Sequence, residues 1–234
     1  MSSFDTEYRS FCARHGTPER IELMLCDLNA VLRGKWLPGD AADRLGTGGV
    51  RLPLSTYAPN ILGCEVEATG LGIVAGDPDA QVVPIPGSLR PVPWARGQVA
   101  QVQVEMAEGA DEISALSSRG ILNRLLSRFK ARGLRPVVAT ELEFYVFKAR
   151  SHADDAPQPP ERTPEAQNYD LEVLARHEAL LHGIQEAAKA QGLLTDTLIA
   201  EYGPGQFEVN FHHTDDVLLA ADTALMFRRL VRGV

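Results

Sequence analysis

Cysteine is scarce in this chain, and Cys12, Cys26 and Cys64 are odd in number and widely spaced. That excludes a disulfide framework and any CxxC or Cys/His metal pattern, and it fits a reduced, cytoplasmic protein. Long apolar runs are missing as well. No stretch approaches the ~20 residues that a membrane helix needs, and the opening residues lack a basic region followed by an apolar core. Positive charge is in deficit: the net charge is −8, which argues against a nucleic-acid or anionic-membrane partner, since both favour clustered Lys and Arg. The one dense basic run, Arg228, Arg229 and Arg232, suits a solvated helix face or the carboxyl end of a helix dipole. Three motifs are absent: a P-loop, a GxGxxG after a strand, and a GxSxG. Their absence argues against P-loop NTPases, Rossmann dehydrogenases and serine hydrolases of that type.

What is present is an apolar share of 44%, enough for one or two domains with proper cores. Hydrophobic spacing predicts a helix over residues 3–16, a strand over 21–27, and an antiparallel return over 31–37, with Gly34 fixing a turn and Asp27 closing the hairpin. A short helix is expected near 41–45. Prolines at 78, 84, 86, 91 and 93 predict a ribbon over 77–94 with edge strands at most. Residues 98–105 alternate and read as a strand. The polar piece 107–112 marks a domain boundary, giving domains over 1–107 and 112–234.

Beyond that boundary helices and strands alternate. Ser117 or Ser118 can cap a helix with Ile121, Leu122, Leu125, Leu126 and Phe129 as its apolar stripe and Gly133 as its stop. Residues 152–164 predict a mobile loop. A helix over 170–190 follows, then strands over 195–200 and 206–212. Thr214 or Asp215 caps a final helix whose stripe is Val217, Leu218, Ala221, Leu225 and Leu230. That stripe calls for neighbours the sequence scarcely supplies, so the second domain is expected to be part of a larger one, with a complete domain ending in a helix as the alternative.

The chemistry sits in two segments. Residues 137–147 carry Glu141 and Glu143 on one face of a strand and Leu142, Phe144 and Val146 on the other, because strand side chains alternate. Residues 201–211 deliver Glu201 and Glu208 around a Gly203-Pro204-Gly205 turn, with Gln206, Glu208, Asn210 and His212 opposite Phe207, Val209 and Phe211. Two such strands place four glutamates around one pocket. Like charges held together need a countercharge, and hard Mg2+ or Mn2+ suits carboxylate oxygens where no thiolate or paired imidazole is near. The bland readings are an exposed edge-strand face for Glu141 and Glu143, and a surface hairpin with incidental acids for Glu201 and Glu208. Adjacent His212 and His213 face opposite sides, so both cannot ligate one ion. Arg33-Gly34-Lys35 is a weak phosphate signal.

In order along the chain, Asp27-Leu-Asn-Ala-Val-Leu-Arg-Gly-Lys-Trp-Leu-Pro38, Asp79-Ala-Gln-Val-Val-Pro84 with Pro93-Trp94, Ser118-Arg119-Gly-Ile-Leu122, Glu141-Leu-Glu-Phe-Tyr-Val-Phe147, Glu201-Tyr-Gly-Pro-Gly-Gln-Phe-Glu208 and Ala220-Ala-Asp222 resemble glutamine synthetases. The pattern is most similar to relatives that join glutamate to larger amines, of the gamma-glutamylpolyamine synthetase kind. The resemblance implies an α+β protein, with an amino-terminal beta-grasp domain and the first half of a catalytic domain built on a curved antiparallel sheet with helices. It also implies an oligomeric ring in which one subunit's small domain completes its neighbour's active site. It casts Glu143, Glu201 and Glu208 as ligands of one metal ion and Glu141 as a ligand of a second, with Asp196 and His213 near the nucleotide. The implied reaction phosphorylates the γ-carboxylate of glutamate with ATP, after which an amine displaces phosphate.

One departure bears on the substrate. Where ammonia-using members carry a Phe-Asp-Gly-Ser-Ser-like stretch, this chain has Leu52-Pro-Leu-Ser-Thr-Tyr57. The aspartate expected to help bind ammonium is not evident, which favours a polyamine or ethanolamine. The family's later histidine ligand, glutamate-binding segment and phosphate-binding arginines fall beyond residue 234. Two rival readings are a noncatalytic oligomerisation or regulatory module derived from the same family, and an unrelated hydrolase using paired carboxylates as acid and base.

Overall fold

The computed structural model describes residues 3–109, 112–161 and 166–234. It divides into two compact units, Met1–Gly133 and Leu134–Val234, each of mixed helix and sheet. The polar piece 107–112 lies inside the first unit and partly outside the described residues, and the division falls at Gly133, the predicted helix stop.

In the first unit, α1 (Ser3–His15) buries Phe4 and Phe11, one helical face, against a sheet. The sheet is built from β1 (Arg20–Cys26), β2 (Leu32–Arg33), β3 (Trp36–Pro38), β4 (Arg51–Pro53) beyond the short helix α2 (Asp43–Gly46), β5 (Asp79–Pro84), β6 (Arg90–Pro91), β7 (Val99–Glu108) and β8 (Glu112–Ile113). Its main path runs β2-β1-β7-β5-β4. The two central strands, β1 and β7, run parallel with Ile21 opposite Ala100 and Leu23 opposite Val102. Such a pair is covered on both faces, so both strands are near-continuously buried rather than alternating.

Asp27 does close the hairpin. It is 1% exposed, and its Oδ1 accepts the Asn29 and Val31 amides, each at 2.8 Å, while its Oδ2 accepts Arg33 Nε at 2.9 Å. Gly34 has a different role from the turn expected of it. It lies between β2 and β3, where a Cβ would stand 1.8 Å from the Leu23 carbonyl oxygen; close backbone approach, not a turn, requires glycine there. The proline-rich ribbon also departs from expectation, because β5 pairs with β4 on one side and β7 on the other. Pro78 precedes the strand and Pro84 ends it, so neither removes an amide from the ladder's interior.

Helix α3 (Ser118–Ala131) starts at Ser117, whose Oγ accepts the Gly120 amide at 2.9 Å and donates to the buried Glu105 carboxylate. Its apolar stripe forms at the expected spacing but is not buried: Ile121 and Leu125 are exposed, and Leu122, Leu126 and Phe129 half-buried.

The second unit centres on an antiparallel three-stranded sheet, ordered β10-β11-β9, from β9 (Glu141–Tyr145), β10 (Thr195–Ala200) and β11 (Gln206–Phe211). The helix expected over 170–190 is two helices, α4 (Leu171–Arg176) and α5 (Glu178–Ala190). They break at His177, where φ is −105° and ψ 13°; its ring meets Phe207 edge-on at 5.1 Å and its Nδ1 lies 3.0 Å from the Val173 carbonyl. Helix α6 (Val217–Gly233) is capped by Asp216, which accepts the Leu219 amide at 3.0 Å, rather than by Thr214 or Asp215. Thr214 instead accepts the Asp216 amide. The buried residues of α6 are Met226, Phe227 and Leu230, so of the expected stripe only Leu230 is fully enclosed. Among the described residues no helix is long and apolar enough to cross a membrane.

Candidate active site on the three-stranded sheet

Strand β11 lies in the middle of its sheet, and alternation sorts its side chains. On the packed face Phe207 is buried with Val173, Leu181 and Ala200, with the half-buried Phe144 and Leu198 against them; Val209 is buried too, and Phe211 meets Phe227 of α6 edge-on at 5.2 Å. With that face anchored by apolar burial, a one-residue slip would turn every carboxylate inward, so the register is strongly specified.

The opposite face is polar. Gln206 stands opposite Tyr145, Glu208 opposite Glu143, and Asn210 opposite Glu141. On the other side Ile199 is opposite Glu208, and Glu201, just past β10, donates its amide to the Gln206 carbonyl at 3.0 Å. Continuing the alternation puts Glu201 on the same face as Glu208. The four glutamates therefore share one face: Glu201 at the turn end, Glu143 and Glu208 as a directly opposed pair, and Glu141 one step further along.

Their surroundings differ. Glu208 is 8% exposed, Glu201 is half-buried, and Glu141 and Glu143 are exposed. Glu143 Oε2 accepts Gln206 Nε2 at 2.6 Å, and Glu208 Oε1 accepts Asn210 Nδ2 at 2.7 Å. Glu201 Oε2 accepts the Tyr202 amide at 3.2 Å. Like charges directly opposite across a strand pair repel, and amide donors on each carboxylate offset part of that repulsion. The donor set is all carboxylate oxygen with no thiolate, which suits a hard divalent cation. Among the described residues, no three of His, Cys, Asp and Glu come together as a group able to hold a metal ion.

Asp196 and His213 lie at the far end from the turn. Asp196 occupies the irregular stretch of β10 between Thr195 and Leu198, exposed, with Oδ2 3.6 Å from His212 Nδ1. His213 is exposed just beyond β11.

The Gly203-Pro204-Gly205 turn has the backbone freedom expected of it. Gly205 has φ 78°, and a Cβ there would stand 2.6 Å from the Val146 carbonyl oxygen; at Gly203 it would stand 2.5 Å from the Tyr145 hydroxyl. The close approach seen is to the protein's own atoms. One residue escaped sequence reasoning altogether: Gln167, 2% exposed, donates Nε2 to the Gln206 carbonyl at 2.9 Å and accepts the Gly205 amide on Oε1 at 3.2 Å. A lone glutamine in an irregular stretch carries no spacing signal that would have found it.

The family described as "Glutamine synthetase, catalytic domain" matches residues 115–234, and this chain belongs to the glutamine synthetase family. Among curated proteins, the gamma-glutamylputrescine synthetase PuuA of Escherichia coli (strain K12) is 37% identical over 237 residues, covering 99% of this chain and 50% of that protein. Gamma-glutamylethanolamide synthetase GlnA4 of Streptomyces coelicolor is 33% identical over 147 residues, 61% of this chain and 31% of that one. A solved structure of a "novel glutamine synthase homolog" superposes with a TM-score of 0.76 at 21% identity, over 92% of this chain and 48% of that one; at such identity the likeness speaks for the fold. The chain spans about half the length of the curated relatives it matches first.

Proposed function

We propose that this chain is part of an ATP-dependent ligase that joins the γ-carboxylate of glutamate to an amine through a γ-glutamyl phosphate. The observation that carries the reading is the opposed Glu143–Glu208 pair on the polar face of a sheet whose other face is locked by apolar packing. Family membership and relatives named as gamma-glutamyl-amine synthetases support it.

In this reading residues 1–107 form a beta-grasp-like domain, supported by the parallel β1–β7 pair beside α1. Residues 112–234 form the first part of the catalytic domain, supported by the family match from residue 115. Glu143, Glu201 and Glu208, which share one face of the sheet, would turn their carboxylates together onto one Mg2+ or Mn2+, Glu141 would contribute to a second, and Asp196 and His213 would lie toward the nucleotide. Bound there, divalent ions supply charge neutralisation for phosphoryl transfer and for collapse of the tetrahedral adduct. The chain's own part is to present carboxylates from a rigid sheet at fixed register. The amine is larger than ammonia, a polyamine or ethanolamine, in keeping with Leu52-Pro-Leu-Ser-Thr-Tyr57 and with the named substrates of the relatives. The complete protein works in the cytoplasm as a homo-oligomeric ring.

Thermal unfolding with and without Mg2+ or Mn2+ tests the metal assignment. An ion at a hundred times its dissociation constant stabilises the folded state by about 2.7 kcal/mol, and Glu143→Ala or Glu208→Ala abolishes the rise in melting temperature. An undiminished rise in both variants refutes the assignment. Glutamate-dependent phosphate release from ATP, compared with putrescine, ethanolamine and ammonia, tests the chemistry; turnover that ignores ATP and divalent ions points to a hydrolase instead.

A further inference from the structure

Two side-chain amides on the polar face have their polarity set from behind. The ends of an amide are alike in shape, but one only accepts and the other only donates. A donor aimed at the oxygen therefore turns the nitrogen the opposite way. At Gln206, Oε1 accepts the Tyr145 hydroxyl at 2.9 Å and the Gly203 amide at 2.8 Å, so Nε2 is directed to Glu143 Oε2 at 2.6 Å. At Asn210, Oδ1 accepts the Thr197 hydroxyl at 2.7 Å, so Nδ2 is directed to Glu208 Oε1, also at 2.7 Å. The buried Gln167 holds the backbone on which Gln206 stands.

We propose that Gln206 and Asn210 are positioning residues. Each occupies one oxygen of a carboxylate and leaves the other oxygen of Glu143 and Glu208 for a divalent cation, with Tyr145 and Thr197 setting the direction of the two amides. This rests on the metal reading of Glu143 and Glu208 given above. The physical gain is that an amide hydrogen on each acid eases the repulsion of the opposed pair, so the two carboxylates can stay close enough for an ion to draw them together. Outer partners of this kind change metal affinity by about 10- to 100-fold when lost.

Manganese alone, titrated into the 234-residue chain and followed by the electron paramagnetic resonance of the free ion, tests the proposal. Thr197→Val, close in shape and exposed to solvent, weakens Mn2+ binding about tenfold without moving the melting temperature of the metal-free chain. Thr197→Ser keeps the hydroxyl and the wild-type affinity. Gln206→Leu weakens binding at least as much as Thr197→Val, and Tyr145→Phe weakens it less, because the Gly203 amide remains on the Gln206 oxygen. Independently of any ion, the Asn210 side-chain amide protons exchange faster with solvent in Thr197→Val, as read by nuclear magnetic resonance.

Wild-type affinity in both Thr197→Val and Gln206→Leu, with Glu143→Gln and Glu208→Gln binding no ion, overturns the positioning role and leaves the metal reading standing. No Mn2+ uptake by the unaltered chain, or undiminished uptake by both glutamate variants, sinks the metal reading and the positioning role together.

Discussion

At the scale of single residues, burial decides which side chains are committed to structure and which remain for chemistry. Tyr57 is 1% exposed and accepts the Met106 amide on its hydroxyl at 3.0 Å. Burial pushes its phenol up to about 12. A folded value above the unfolded one of about 10 means that Tyr57 stabilises fully below pH 10 and that this contribution fades as pH rises through about 12. Between those limits stability falls by on the order of 2 kcal/mol. Tyr8, likewise raised by burial with Cys12 beside it, acts in the same sense. Tyr57→Phe is therefore expected to flatten, but not abolish, the alkaline loss of stability measured by urea unfolding from pH 9 to 12. At neutral pH the same variant costs about 1–3 kcal/mol, because the Met106 amide loses its acceptor. A slope as steep as wild type would contradict the burial of that hydroxyl. The glutamates of the polar face differ in kind: Glu141 and Glu143 are exposed on β9, at the edge of its sheet, where no buried contact commits them to the fold.

At the scale of elements, the turn between β10 and β11 is the constrained piece. Gly205 combines φ 78° with a Cβ position 2.6 Å from the Val146 carbonyl oxygen, so backbone as well as side chains stands in the way of any larger residue. Gly205→Ala should cost about 1–3 kcal/mol, visible as a lower urea midpoint with an unchanged slope. It should also loosen Gln206, whose carbonyl and side chain are both held next to that turn. A midpoint equal to wild type would show that the turn relaxes freely. Elements were the level at which sequence patterns read best. The strands over 195–200 and 206–212 and the alternation of Leu142 and Phe144 against Glu141 and Glu143 were legible, because period-two burial leaves its mark on residue type. The break at His177 was not: the ring there meets Phe207, 30 positions away in sequence by the numbering of the two residues, and spacing within the segment carries no mark of that contact. Nor was the interior position of β5, because prolines at strand ends look in sequence like prolines within strands.

At the scale of the whole molecule, acidic charge dominates. With a net charge of −8 at pH 7 and a pI near 5.3, self-repulsion opposes non-specific association at neutral pH and vanishes near the isoelectric point. Light scattering of the chain should rise toward pH 5.3 and fall again above pH 7; scattering that is flat across this range would show that charge does not govern its association. The same acidity favours divalent cations over phosphate-backbone partners, in line with the family to which the chain belongs.

Sequence alone determined which residues alternate, where glycine and proline punctuate the chain, and that Glu141, Glu143 and Glu208 stand on strands with apolar backs. Those properties are local, written in periodicity and residue type. Tertiary structure alone decided that β9 and β11 pair with Glu143 opposite Glu208, that the stripe on α3 stays partly open, and that Gln167 grips the turn. Pairing register and enclosure arise from contacts between residues far apart along the chain, and no spacing within a segment encodes its distant partner.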